Sequence, residues 1–359
     1  MLMKAYDLPG GEAYAFFNCP LLRQERDTVL KLLKKCAALA LALALGLSLA
    51  ACSNAPASAH SATSPAVSSA SGAAGARLLT DGAWRQVELP ETVERVVCVG
   101  VGALRYTCYM GAADRVVGVE DYENEPSLTR LYSYVNGEKF KDLPVIGTNG
   151  SPSAEELLAV DPQVIGMSEY ASADADDLAA IKADLAARTA SVPETKRPSV
   201  YVAGVSFKGV HGFEGTEAHY GPLELLGANN LADSTGQAGA FDIDTEQVLT
   251  WDPDIIFLDF NGMDLINQDY AANPDFYNAL SAVKNGKVYS QISFRSYASN
   301  LDTALADAYY AGCVIYPEQF ADVDPVEKAG EIFTTLLGEN PYNDLKEAGY
   351  EFRPIVLGK

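Results

Sequence analysis

One pattern occurs twice in this chain, 91 residues apart, and it limits the folds open to it. Residues 155–165 read EELLAVDPQVI and residues 246–256 read EQVLTWDPDII. Glu155 aligns with Glu246, Leu158 with Leu249, Asp161 with Asp252, Pro162 with Pro253 and Ile165 with Ile256. Each copy predicts an amphipathic helix that stops at Asp-Pro, where proline blocks helical continuation, and then enters an apolar strand. A second echo, Gly111-Ala112 and Gly227-Ala228, follows a predicted helix in each half. The repeat implies two related α/β lobes. Helix–Asp-Pro–strand units recur in many α/β proteins, so the repeat alone fixes fold class, not function.

The surrounding segments agree. VVCVGV after Arg95 is a continuous apolar run of the kind buried in a parallel sheet. Gly100 and Gly102 break it, and a helix is expected from Ala103. VVGVED from Val116 and Val145–Gly147 are the next strands. Ala173–Arg188 has Leu178, Ile181 and Leu185 at helical spacing and is expected to connect the lobes. Helices are also expected at about Leu301–Tyr316 and Pro325–Leu337, and Gly286-Lys287 as a turn into a strand.

Ahead of these comes a segment of different character. Lys31, Lys34 and Lys35 precede a 16-residue run from Cys36 to Ala51, too short to span a bilayer comfortably but suited to a signal peptide. Leu49-Ala50-Ala51-Cys52 resembles a lipoprotein cleavage site, with Cys52 as the lipidated new N-terminus. Residues 1–28 form an extension unlike the start of such a signal, and translation is expected to begin near Val29. Residues 53–77, rich in Ser, Ala and Pro, read as a flexible tether that includes His60. The expected organisation is extension and signal peptide over 1–52, tether over 53–77, first lobe over 78–172, connecting helix over 173–199 and second lobe over 200–359. This places the folded part on the outer face of a membrane, held by a lipid.

A formal charge of -22 argues against nucleic acid, whose phosphates demand a basic surface. Cys98, Cys108 and Cys313 lack metal-ligand spacing; their odd number and apolar neighbours favour free thiols over a disulfide. No Walker A motif, G-x-S-x-G elbow or HExxH is present.

Tyr201–Leu226, YVAGVSFKGVHGFEGTEAHYGPLELL, runs from a strand through a polar loop to a helix. Such a loop lies at the carboxyl end of a strand, where open α/β sheets place ligands. It carries Lys208, His211, Glu214, Glu217, His219 and Tyr220.

These stretches resemble the substrate-binding proteins of ABC importers for iron complexes, haem and cobalamin. The resemblance covers roughly Arg95–Leu345 and rests on GALRYTCYMGAADRVVGVED, the two Glu-to-Pro units, the Tyr201–Asn230 stretch and NLDTALADAYYAGCVIYPEQF. It implies the class III periplasmic-binding-protein fold, two Rossmann-like lobes joined by a connecting helix. It also implies that Glu155 and Glu246, each seven residues before its proline, dock onto arginines of an ABC permease dimer driven by a cytoplasmic ATPase. The ligand, a small metal chelate such as an iron complex, would lie between the lobes. Its candidate contacts are Arg105, Tyr106, Tyr170, Lys208, His211, Glu217, His219, Tyr220, Arg295 and Tyr297. Arg105 and Arg295 suit an anionic chelate, and tyrosines suit a planar or catecholate-like one. No cofactor is implied beyond that transported ligand. Direct metal ligation by His211, His219 and Tyr220 is a second reading; turn-capping by the histidines is a third. One departure stands out. Only 91 residues separate Pro162 from Pro253, where the resemblance implies a further strand–helix unit and a longer connecting helix, so the first lobe is expected to be shortened. A surface hydrolase and a paralogue that has lost its ligand are the alternatives.

Overall fold

The computed structural model describes residues 77–80, 86–148, 150–167 and 176–358. The expected leader, Cys52, the tether up to residue 76 and Tyr170 lie outside them. No described helix is long and apolar enough to cross a membrane. The chain divides at Val93. Before it, β1 (Arg77–Thr80) and β2 (Gln86–Leu89) form an antiparallel hairpin.

From Val93 onward two parallel sheets carry the fold. The first contains β3 (Val96–Val99), β4 (Val116–Glu120), β5 (Val145–Thr148), β6 (Ser151–Pro152) and β7 (Val164–Met167), in the order β6-β5-β4-β3-β7. Only the short β6 is antiparallel. All four residues of β3 are buried, as a strand covered on both faces requires. Val97 and Val99 pack with Ile146 and Val160, and Leu157 leans on the same cluster.

The second sheet contains β8 (Ser199–Ala203), β10 (Asn229–Asn230), β12 (Ile255–Asp259) and β13 (Val288–Gln291), ordered β10-β8-β12-β13 and parallel throughout. Beside it lies an antiparallel pair, β9 (Gly215–Ala218) with β11 (Gly239–Asp242). Every residue of β12 is buried. Ile256 and Leu258 join a core with Tyr201, Phe213, Val248 and Tyr277. Phe257 points the other way and meets Tyr310 edge-on at 6.3 Å.

The repeated unit folds the same way twice. Ser153 caps the Ala154–Val160 helix by accepting from Glu156 N, and Asp244 caps the Thr245–Trp251 helix by accepting from Glu246 N. Such caps contribute about 1 kcal/mol each. Both helices stop at a left-handed aspartate, Asp161 at φ 45° and Asp252 at φ 43°. Aspartate tolerates that conformation, and the proline that follows disfavours a further helical residue. β7 and β12 begin directly afterwards.

The Asp176–Thr189 helix links the sheets; its 14 residues span about 21 Å. It lies on the second lobe, with Asp184 accepting from Tyr309 Oη at 2.6 Å and Arg188 paired with Asp322 at 2.7 Å. Residues 168–175 are too few for another strand and helix, and among the described residues nothing pairs with the outer side of β7. Among the described residues, the sheet of the first lobe ends at β7.

Two helices complete the fold. Leu301–Ile315 is buried on almost every side, as a helix apolar all round must be. Pro325–Leu337 has both ends specified in sequence, with Asp324 as N-cap, Pro325 in the first turn and Gly338 left-handed at the end. It packs on Leu301–Ile315 and reaches back to the first-lobe helices Ala103–Tyr109 and Leu131–Val135.

Candidate functional site

The loops that leave the carboxyl ends of β3, β4 and β13 meet in one seam, and Arg105 lies at its centre. Gly100 and Gly102, at φ 98° and 83°, turn the chain from β3 into the helix that carries Arg105. Its guanidinium donates from Nη1 to the carbonyl of Ser299 at 2.6 Å and from Nη2 to those of Tyr297 at 2.7 Å and Ser296 at 3.3 Å. Those carbonyls converge because Tyr297 and Ala298 both adopt left-handed backbone, at φ 49° and 70°. Such conformations cost on the order of 1 kcal/mol or more each for a residue with a side chain. Arg105 is only 1% exposed, and its cation lies 5.0 Å from the Tyr132 ring.

Further contacts close the same seam. Asn300 donates to the carbonyls of Thr129 and Phe294, and Thr129 donates to the hydroxyl of Ser296. Tyr109 Oη accepts from the amide of Leu301, the first residue of its helix. Tyr122 stacks on Tyr297 at 4.4 Å with the rings 4° from parallel, and Arg130 lies over both.

Two buried acids sit beneath this layer. Asp302 accepts from the amide and hydroxyl of Thr303; burial raises its pKa, and Arg105 offsets part of the rise. Glu123 accepts from Tyr132 Oη at 2.8 Å while its other oxygen has no partner. Burial pushes its carboxyl up to about 7, against the lowering effects of Tyr132, Arg130 and Arg105. In the second lobe burial likewise takes Asp259 to about 7, despite hydrogen bonds from Ser293 and Asn261. The folded protein holds these protons more tightly than the unfolded chain. Their contribution to stability is full below the unfolded values near 4 and is lost as pH rises through about 7. Asp114, Asp184, Asp252 and Asp322 are shifted downward from 3.8, so they oppose this only in stronger acid. The melting temperature is thus expected to fall between pH 5 and pH 8, and Glu123→Gln to flatten the fall. A melting temperature that rises over this range, unchanged by the substitution, would contradict the assignment.

No protein-family model matches this sequence, and no curated protein matches it significantly. Solved structures do. A periplasmic solute-binding protein from Veillonella parvula DSM 2008 superposes with a TM-score of 0.57 at 17% identity, covering 74% of this chain and 94% of that one. The fold is that of the periplasmic solute-binding proteins. The molybdate-binding protein MolA of Haemophilus influenzae, solved with molybdate bound, gives a TM-score of 0.54 at 19% identity, covering 74% and 98% of the two chains. CeuE of Helicobacter pylori, in a nickel–histidine complex, gives 0.51 at 16% identity, covering 76% and 99%.

On a solute-binding fold the predicted contacts divide into groups. Arg105 and Tyr297 lie in the seam, with Tyr297 still 44% exposed. Tyr106 is half-buried and edge-on to Tyr109. Arg105 gives its Nη donors to main-chain carbonyls. Arg295 is likewise committed within the protein, to a two-point pair with Glu217 inside the second lobe. Glu217 is 4% exposed, and burial raises its pKa against the effect of Arg295. Tyr220 is fully buried, with its hydroxyl toward Gln291 and its ring edge-on to Phe294, so in this conformation it is a core residue. His219 is exposed, left-handed at φ 58°, and faces Glu224 at 3.0 Å. Lys208 is exposed. His211 lies against Asp242, with its ring flat on Phe207. Glu155 and Glu246 are both exposed, at matching positions in the first turns of the two repeated helices.

Tyr109, Tyr122, Thr129, Arg130, Asn300 and Asp302 complete the seam and escaped sequence reasoning. One signal was available: YENEP directly follows the predicted strand VVGVED, the position where an open sheet puts its functional loops.

Proposed function

We propose that this protein is the extracytoplasmic, lipid-anchored solute-binding component of an ABC importer. It captures a small metal chelate, with an iron complex as first candidate, between its lobes and delivers it to a permease. It performs no bond chemistry. The observation that carries this reading is the meeting of strand carboxyl ends from two parallel sheets in one seam of cationic and phenolic side chains. The relatives solved with molybdate and with nickel–histidine support a small metal-containing ligand. Arg105, Arg130 and the stacked Tyr122–Tyr297 pair provide charge and flat surface for an anionic, partly aromatic chelate once the lobes part. Cys52 and the apolar run before it support the lipid anchor.

His211 gives Nδ1 to a carboxylate, as a catalytic triad would, but its Nε2 faces the carbonyl of Phe207 rather than a hydroxyl. That disfavours a hydrolase. A binding protein that has lost its ligand is favoured by one observation, the commitment of both Arg105 and Arg295 to protein partners.

Titration of the purified protein with ferric siderophores, haem, cobalamin and molybdate, followed by Trp and Tyr fluorescence, is expected to reveal one saturable ligand and no turnover. A folded protein that answers to none of them would replace the transport reading with the second.

A further inference from the structure

Three side chains of the second lobe converge away from the Arg105 seam contacts. His211 follows β8, Glu214 immediately precedes β9, and Asp242 ends β11. The β9–β11 register sets Asp242 opposite Gly215, next to Glu214. Gly215 is glycine for a reason, because a Cβ there would collide with the Cβ of His211. One ligand atom from each of His211, Glu214 and Asp242 lies within 4.8 Å of the others.

The hydrogen bonding of His211 points to a cation. Its Nε2 faces the carbonyl of Phe207 at 2.8 Å, and a carbonyl only accepts, so Nε2 carries a hydrogen. Its Nδ1 faces a carboxylate oxygen of Asp242, also at 2.8 Å and also an acceptor. A neutral imidazole would then direct a lone pair at an anion. A metal ion held between Nδ1 and the carboxylate turns that opposition into ligation. The Nε2–carbonyl bond is the outer contact that metal-bound histidines make to fix tautomer and orientation. The ring is further held flat on Phe207 at 3.8 Å. Glu214 is oriented in turn by the amide of Gly212 at 3.0 Å.

We infer that His211 Nδ1, Glu214 and Asp242 form a binding site for one borderline divalent transition-metal ion. One imidazole nitrogen and two carboxylates suit zinc and its neighbours in the first transition row, and the two negative charges balance a dication. Two ligand atoms about 2.1 Å from one ion at a tetrahedral angle stand about 3.4 Å apart. Asp242 therefore moves outward by roughly half an ångström from its present contact with His211. Its side chain, 53% exposed, is free to do so and leaves the remaining coordination positions to water. Nδ1 gives the ion its lone pair, and any proton there passes to solvent. The site belongs to one lobe and does not depend on the transport reading.

The test uses the full chain, without affinity tag and stripped by a chelator. Titration with zinc chloride by calorimetry is expected to give one equivalent bound. Cobalt chloride is expected to give visible d–d bands. His211→Gln and Asp242→Asn are each expected to weaken zinc by about 100-fold, with circular dichroism unchanged. Glu339→Gln, at an exposed carboxylate beyond the Pro325–Leu337 helix, should bind as the parent does. No saturable uptake by the parent leaves only a histidine–carboxylate contact and overturns the inference. Equal affinity in His211→Gln means an adventitious ion only and overturns it too. Chelate binding in the fluorescence titration reads out separately, so either reading can fail alone.

Discussion

Glu155→Ala combined with Glu246→Ala is expected to abolish transport and to leave solute affinity within about twofold of the parent. Both residues are exposed and stand in the first turn of a helix, where the dipole favours a carboxylate. Neither belongs to the core, so replacement costs within about 0.5 kcal/mol of stability. On the docking role that the family resemblance implies, their matching positions on two lobes would make a two-point contact, in which each engaged carboxylate would hold the other close to its own arginine. Loss of one leaves partial transport; loss of both removes the gain in effective concentration as well as the two contacts. Uptake into vesicles carrying the permease, set beside ligand titration of the purified double variant, measures both halves. Lost ligand affinity in the double variant, or undiminished uptake, would remove the docking role.

Arg105→Ala carries the largest expected effect on the fold itself. It strips the carbonyls of Tyr297 and Ser299 of their donor, leaves that of Ser296 with Asn300 alone, and leaves Asp302 and Glu123 without one of their countercharges. Breaking a buried charged network by removing one partner costs about 3–5 kcal/mol. Arg105→Lys is expected to recover little, because one ammonium on a flexible stem does not reproduce a planar fork reaching three acceptors. Urea unfolding is the appropriate measurement. A shift in midpoint at constant slope means lost stability, and a reduced slope means a native state that has already opened along the seam. A midpoint unchanged in Arg105→Ala would mean that the seam contributes nothing to holding the lobes together.

The repeated Glu-to-Pro unit was legible because each of its parts is local. The cap, the apolar periodicity and the proline stop all lie within about eleven residues, and both copies fold with nearly the same φ at the terminal aspartate. Pro325–Leu337 was legible for the same reason. The partners of Arg105 were not. They are main-chain carbonyls up to 194 residues away, and a carbonyl has no sequence signature. Tyr220 reads as a loop residue among Gly, Glu and His, yet Gln291 and Phe294 enclose it from the strand and loop of β13. GTEA reads as loop by composition and becomes β9 because Gly239–Asp242 pairs with it. The shortening of the first lobe was visible as a missing length of chain. Among the described residues, no strand pairs with the outer side of β7.

The return of the Pro325–Leu337 helix to the first lobe has a consequence for how the protein is made. The helices that carry Arg105 and Tyr132 receive part of their covering from a helix translated after every strand of the second sheet. A nascent first lobe must wait, incompletely covered, while the whole second lobe is synthesised. Completion of the first lobe is thereby postponed until the Pro325–Leu337 helix has been made.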